Sequence, residues 1–275
     1  MVERLSAPEG TTGVFRLIAL GTAIACLSLT APVCAQEPDS SDALAAQASD
    51  PTAALMSFQL YDWYTPSLHD ADGSANQIVF RSAVPLQLGS MQHIFRLSAP
   101  YVTSTPSGAT GFGDLTIFDL LTFDREWGRF GLGVSGTLPT GADGLTLDKW
   151  TAGPSAGFVN SSMMKVNFGL FLQSFFSYAG DSDAADVGIL NVQPILSYQL
   201  GRGRSVSLSN SALVYDTERS RWTSLMLGVN YGQVVGWAGH KWRPNAELDY
   251  DFQNDRGNQE WVVRLGVALL VPSAQ

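Results

Sequence analysis

From Trp242 to Phe252 the side chains alternate with period two. Trp242, Pro244, Ala246, Leu248, Tyr250 and Phe252 fall on one face, and Arg243, Asn245, Glu247, Asp249 and Asp251 on the other. Successive side chains of a β-strand point to opposite sides, so this segment carries one apolar and one strongly polar face. A soluble antiparallel sheet can alternate in the same way. A sandwich core, however, does not easily take five polar residues facing inward. A transmembrane barrel reverses the arrangement, with an apolar outside and a polar inside.

The pattern recurs along the chain. Leu190, Val192, Pro194, Leu196, Tyr198 and Leu200 oppose Asn191, Gln193, Ser197 and Gln199. Phe95, Leu97, Ala99 and Tyr101 oppose Arg96 and Ser98, and Trp261, Val263, Leu265, Val267 and Leu269 oppose Arg264, Gly266 and Ala268. Read this way, the chain has about twelve strands, at 55–64, 76–85, 92–103, 112–123, 127–138, 150–159, 164–177, 187–200, 204–215, 221–234, 240–252 and 259–271. An even number suits a single-chain bacterial barrel. Asp119 breaks the rule, sharing a face with Leu115, Ile117 and Leu121. In lipid it needs a nearby interface or a bulge that turns it inward.

The connections sort by length. Short ones lie near 88–90, 124–126, 160–162, 201–203 and 235–237; longer ones are 65–75, 104–111, 139–149, 178–186, 216–220 and 253–258. Short periplasmic turns and long outer loops are the habit of outer-membrane barrels, whereas a sandwich has no reason to segregate them. The fold expected is all-β: a closed, antiparallel, up-and-down transmembrane barrel over residues 55–275. No stretch after Ala35 could form a membrane-spanning helix, so a membrane chain of this kind must close its sheet to pair every backbone group.

Residues 1–35 read as a cleaved signal peptide. Arg4 and Arg16 precede an apolar run from Leu17 to Leu29, and Val33-Cys34-Ala35 supplies the small residues of a cleavage site. The run is too short to span a bilayer. Residues 36–54, rich in Ser, Asp, Ala and Gln, read as a loose periplasmic leader. Both cysteines, Cys26 and Cys34, fall before the expected mature start, which leaves no disulfide framework or thiolate chemistry. His69, His93 and His240 are scattered and read as solvated or interfacial side chains. No cofactor or metal is expected. The net charge of −9 argues against a nucleic-acid partner.

Several segments carry a family likeness. Asp50-Pro51-Thr52-Ala53 leads into a first strand ending Trp63-Tyr64-Thr65-Pro66-Ser67. Gly111-Phe112-Gly113-Asp114-Leu115 opens the fourth strand, Leu138-Pro139-Thr140-Gly141 precedes Lys149-Trp150-Thr151-Ala152-Gly153-Pro154, and Tyr178-Ala179-Gly180-Asp181 precedes Asn191-Val192-Gln193-Pro194. In order and spacing these resemble the outer-membrane barrel family named for the MetA pathway of phenol degradation, over about residues 50–271. The resemblance implies an exported barrel that helps hydrophobic or aromatic compounds cross the outer membrane, and supplies no catalytic residues. One departure is the C-terminus, Leu270-Val271-Pro272-Ser273-Ala274-Gln275, where outer-membrane barrels commonly end on an aromatic.

Twelve strands tilted by about 40° enclose a lumen on the order of 12 Å across, if nothing else fills it. Candidates to line it are Arg81, Arg96, Arg129, Arg243, Glu247, Asp249, Asp251 and Arg264. Arginines facing carboxylates either form a ladder that guides solutes or pair off and close the barrel; the sequence leaves both open. The function expected is a channel or passive transporter for small compounds of a Gram-negative outer membrane. The partners expected are membrane lipid and lipopolysaccharide, the barrel-assembly machinery and a small-molecule solute. The alternatives are a closed scaffold or adhesin acting through its outer loops and, last, a barrel-embedded hydrolase. A non-enzyme is expected, since no Gly-x-Ser-x-Gly elbow occurs and His69 is the only histidine placed in an outer loop.

Overall fold

The computed structural model describes residues 38–272, so the expected signal peptide at 1–35 lies outside the described residues. A helix, α1 (Pro38–Ala48), leads into β1 (Met56–Leu68), β2 (Ala75–Leu88), β3 (Met91–Ser104), β4 (Gly111–Phe112), β5 (Leu115–Arg125), β6 (Gly128–Leu138), β7 (Lys149–Met163) and β8 (Val166–Gly180). There follow β9 (Gly188–Gly201), β10 (Arg204–Leu208), β11 (Leu213–Asp216), β12 (Arg221–Gln233), β13 (Val235–Trp237), β14 (His240–Asp251) and β15 (Gln259–Val271). Three of the segments continue a neighbour: β4 precedes β5 along β3, β10 and β11 both lie between β9 and β12, and β13 extends β12 along β14. Counted so, twelve antiparallel staves close into a barrel. The seam is the ladder between β1 and β15, which runs from Met56↔Val271 to Leu68↔Gln259. Among the described residues no helix is long and apolar enough to cross a membrane.

The short turns are all two-residue connections, at 89–90, 126–127, 164–165, 202–203 and 238–239. The last corrects the sequence reading, which put a turn at 235–237. Those residues are β13, and the chain reverses at Ala238 and Gly239, with φ of 51° and 78°. A type I′ hairpin needs positive φ at both central residues, and Arg202-Gly203 (58° and 71°) meets the same requirement. Both ends of the barrel chain, Met56 and Val271, lie at the end of the barrel that carries these turns. The long loops occupy the other.

Outside, the barrel is apolar. Leu60, Leu132, Val134, Val229, Leu248 and Leu265 are exposed around its waist. Exposed aromatics crowd the two rims, with Trp127, Tyr198 and Trp237 towards the short turns and Tyr64, Trp150, Tyr178 and Trp261 towards the loops. That is the belt-and-girdle pattern of a bilayer-facing surface. Asp119 sits on this outer face with no bulge to turn it, because β5 keeps continuous register with β6. It is matched instead by His93, whose Nδ1 lies 2.9 Å from the Asp119 carboxylate. The partner is on the adjacent strand β3, one diagonal step away. The expectation of a solvated His93 is thus replaced by a cross-strand pair. His69 also departs from expectation. It is buried, with Nε2 2.8 Å from the Asp251 carbonyl and its ring edge-on to Tyr250. Its backbone bonds to Gly257 and Asn258, which ties the first long loop to the last.

The sequence motifs that open β4–β5 and close β6 meet in space. The Asp114 carboxylate accepts from the amides of Gly141 (2.9 Å) and Leu147 (2.7 Å), and Thr140 Oγ1 accepts from Leu115 N at 3.1 Å. The longest loop is therefore folded onto the rim by one carboxylate. The leader is not loose. α1 packs Leu44 and Ala45 against Ala53, Leu55, Val234, Ala268 and Leu270 at the short-turn end, and the Asp42 carboxylate accepts from the Gly203 amide. Its apolar partners are remote in sequence, so a Ser/Ala/Asp-rich stretch gave no sign of them.

The His93–Asp119 pair generates a stability prediction. His93→Leu strands a carboxylate against hydrocarbon and lowers stability by about 1–2 kcal/mol. Asp119→Leu costs less, and the double variant recovers to near the parent. Urea unfolding in lipid vesicles measures all three. Strictly additive losses would show that the two side chains do not act as a pair.

Candidate functional site: the barrel interior

The inward faces of β14 and β15 carry five of the expected lumen residues, and all five are buried. Beyond β12, the stave next to β14, the stave formed by β10 and β11 breaks at 209–212, and Asn210 and Ser211 turn inward. Arg264 Nη1 donates to Asp249 Oδ2 (2.7 Å), Glu247 Oε2 (3.3 Å) and Ser211 Oγ (2.7 Å). Glu247 Oε1 also accepts from Asn210 Nδ2 (3.0 Å) and Asn230 Nδ2 (2.6 Å), while Ser211 Oγ donates to Asp249 Oδ1 (3.0 Å). The strand gives up ladder bonds at the break and satisfies two carboxylates in exchange. Buried charges are tolerated when paired and hydrogen-bonded; both carboxylates here are, while Arg264 Nε is left without a partner.

The other predicted residues separate by role. Asp251 faces the backbone, accepting from the amides of Leu225 (2.7 Å) and Gln253 (2.9 Å). Arg243 has no carboxylate and bonds Ser205 and Asn230 instead. Arg129 lies at the short-turn end, with Nε 2.7 Å from Asp124, Nη1 3.8 Å from Asp50 and a hydrogen bond to the Thr52 carbonyl at 3.0 Å. Of the two sequence readings, pairing off describes Arg264 and Arg129. A continuous ladder across the lumen is not what the structure builds.

Arg81 and Arg96 stand apart, on the wall of a cavity of about 460 Å³. Its floor is Ala48, Ser49, Asp50 and Pro51, the chain leaving α1; its sides include Tyr61, Trp63, Phe118, Phe171, Gln173 and Asn191. Arg81 lies over the rings of Trp63 (4.8 Å) and Tyr61 (5.7 Å), and Arg96 over Phe118 (5.3 Å). Arg264 also lies over the Trp63 ring, at 4.6 Å. Gly266 makes room for this wall, because a Cβ there would overlap the Tyr61 ring. At the floor, Thr52 donates through both N (2.7 Å) and Oγ1 (2.6 Å) to Asp50 Oδ1, and Arg96 Nη2 donates to the Pro51 carbonyl at 3.2 Å. Burial raises the Asp50 pKa above its ordinary 3.8, against the opposing pull of the Thr52 hydrogen bonds and of Arg129 and Arg96.

Sequence reasoning missed Asp50 and the aromatic wall. In β1 the inward set Gln59, Tyr61 and Trp63 opposes the exposed Phe58, Leu60 and Tyr64. The alternation is there, but aromatics on both faces hide it. Among the described residues no cluster of three or more His, Cys, Asp or Glu is placed to hold a metal.

No family model matches the sequence, and no curated protein matches it. Solved structures do match in shape. An outer membrane channel from Pseudomonas putida F1 superposes with a TM-score of 0.57 at 15% identity, over 79% of this chain and 96% of that one. Outer membrane phospholipase A from Escherichia coli gives 0.44 at 10% identity, over 84% and 98%. A triple mutant of the Rhodopseudomonas blastica porin gives 0.32 at 9% identity, over 79% and 99%. The expectation of a non-enzyme is corrected by the second of these. Matching barrels include an enzyme, a likeness of fold alone that assigns no activity to this chain. By fold the chain is a closed, twelve-stave, antiparallel β-barrel of the outer-membrane type.

Proposed function

We propose that this chain is an outer-membrane channel or passive transporter for small apolar or aromatic compounds, exported by cleavage of residues 1–35. The observation that carries the reading is the chamber of about 460 Å³, its size within the range of small-molecule pockets and its wall part aromatic, part polar. The motifs shared with the barrel family of the phenol-degradation pathway support it. The working partners are then membrane lipid, lipopolysaccharide at the loop rim, the assembly machinery and the solute itself. The chamber is floored by residues 48–51, with α1 packed at the same end, so passage to the periplasm requires this segment to withdraw. What holds it is modest: one small apolar cluster, and hydrogen bonds worth on the order of 1 kcal/mol each. Such a segment opens locally at far less cost than the barrel unfolds.

Planar-bilayer recordings and liposome uptake test the reading. The full mature chain should give a small, intermittent conductance, and a variant lacking residues 38–52 a conductance several-fold larger and steady. Silence from both proteins, with no solute uptake, refutes the channel.

The raised pKa of Asp50 adds a pH signature. The docked segment favours the protonated carboxyl, so docking is strongest below the ordinary value of 3.8 and weakens as pH rises through the raised one. Conductance should therefore increase from pH 4 to pH 7, and Asp50→Asn should remove the increase by holding the closed level throughout. A conductance that instead climbs on acidification assigns the gate to another group.

A further inference from the structure

The charged residues lining the chamber are Asp50, Arg81 and Arg96. The two arginines sit on the inward faces of adjacent strands, Arg81 opposite Ser98 and Arg96 opposite Ala83, which makes them diagonal neighbours. Like charges at that spacing repel, and in a low-dielectric interior they call for a counter-charge. Asp50 is the one carboxylate on the chamber wall, and its ion pair is with Arg129. Among the described residues no carboxylate comes within 4.0 Å of Arg81 or Arg96. The Nε atoms of both are buried without a hydrogen-bond partner, as are those of Arg243 and Arg264, and so is Nε1 of Trp63 beside them. A native interior rarely leaves so many buried donors unused. Arg264, on the filled side, has its carboxylates; Arg81 has aromatic rings and empty space, and Arg96 has these and the Pro51 carbonyl.

We infer that the chamber is a binding site for a small organic carboxylate with an apolar body, its carboxylate bridging Arg81 and Arg96 and its body lying against Trp63, Phe118 and Phe171. The guanidinium fork matches a carboxylate's two oxygens, and the planar body matches the rings. A monoanion also balances the chamber, whose wall bears two guanidinium groups and one shared carboxyl. The inference deepens the channel reading, since it names what the chamber holds, yet it can be measured without any transport.

Isothermal titration of the full mature chain in lipid nanodiscs, with benzoate, neutral benzamide and inorganic phosphate as probes, tests it. Benzoate should bind saturably, and benzamide and phosphate at least about tenfold more weakly. Arg81→Gln and Arg96→Gln should each weaken benzoate by about tenfold, with Arg81→Lys and Arg96→Lys in between, while heat-modifiable migration reports that each barrel is folded. Four results overturn the inference, the first three being no saturable benzoate binding, benzamide binding as tightly as benzoate, and folded glutamine variants binding unchanged. Phosphate binding as tightly as benzoate also does so, reducing the site to an adventitious ion only. The probe comparison is made on the parent protein, so a variant that fails to fold does not block the test. Conductance without benzoate binding sinks this inference alone, and binding without conductance sinks the channel alone.

Discussion

Everything in this barrel depends on closing the ladder between its first and last strands. A sheet edge in hydrocarbon leaves a row of amides and carbonyls with nothing to bond, at several kcal/mol each. The β1–β15 ladder removes that edge, with paired positions from Met56↔Val271 onward. Closure then fixes the rest. Every inward residue has an outward neighbour, so the segment from Trp242 to Phe252 can satisfy lipid and interior at once. It also brings the chain's entry and exit to the same rim, which is why α1 arrives among the short turns and can lie across that mouth.

The interior solves its electrostatics differently on its two sides. Where β10 gives way to β11, two polar residues, Asn210 and Ser211, leave the ladder and reach Glu247, Asp249 and Arg264. This sector is filled, and each of its carboxylates is hydrogen-bonded. The sector lined by β1, β2, β3, β5 and β8 stays hollow, and its cations rest on aromatic faces, a contact worth about 0.5–2 kcal/mol that does not cancel a charge. Trp63, in contact with both Arg264 and Arg81, is where the two sides meet.

How far the sequence reveals this depends on whether the governing contact is local. Strand alternation is local, and so β14 and β15 were legible almost to the residue. Loop lengths are equally local and separate the two rims. The break between β10 and β11 is not legible, because 204–215 reads as one uninterrupted strand until the carboxylates two staves away on β14 are known. Asp119 looked anomalous for the same reason: His93, its partner, lies on another strand. α1 was read as loose because its own composition is weakly apolar and the surfaces it covers, Val234 and Leu270 among them, lie near the far end of the chain. Inward aromatics in β1 were hidden by outward ones. What escaped was decided by residues brought together only by closure.

One consequence joins the floor of the chamber to its charge. Asp50 lies on the segment that must move, yet it is also the carboxylate that Arg129 pairs with and Arg96 faces. Withdrawal of residues 48–52 removes that carboxyl and the Pro51 and Thr52 carbonyls from the two arginines in the same step. The open interior is thus more positive than the closed one. An anion already seated between Arg81 and Arg96 offsets part of that cost, since it supplies the counter-charge the departing segment takes away. By linkage, a ligand bound better by the open state shifts the equilibrium toward it. Cargo and gate are therefore coupled through Arg96, the one guanidinium group that meets both, with no additional moving part.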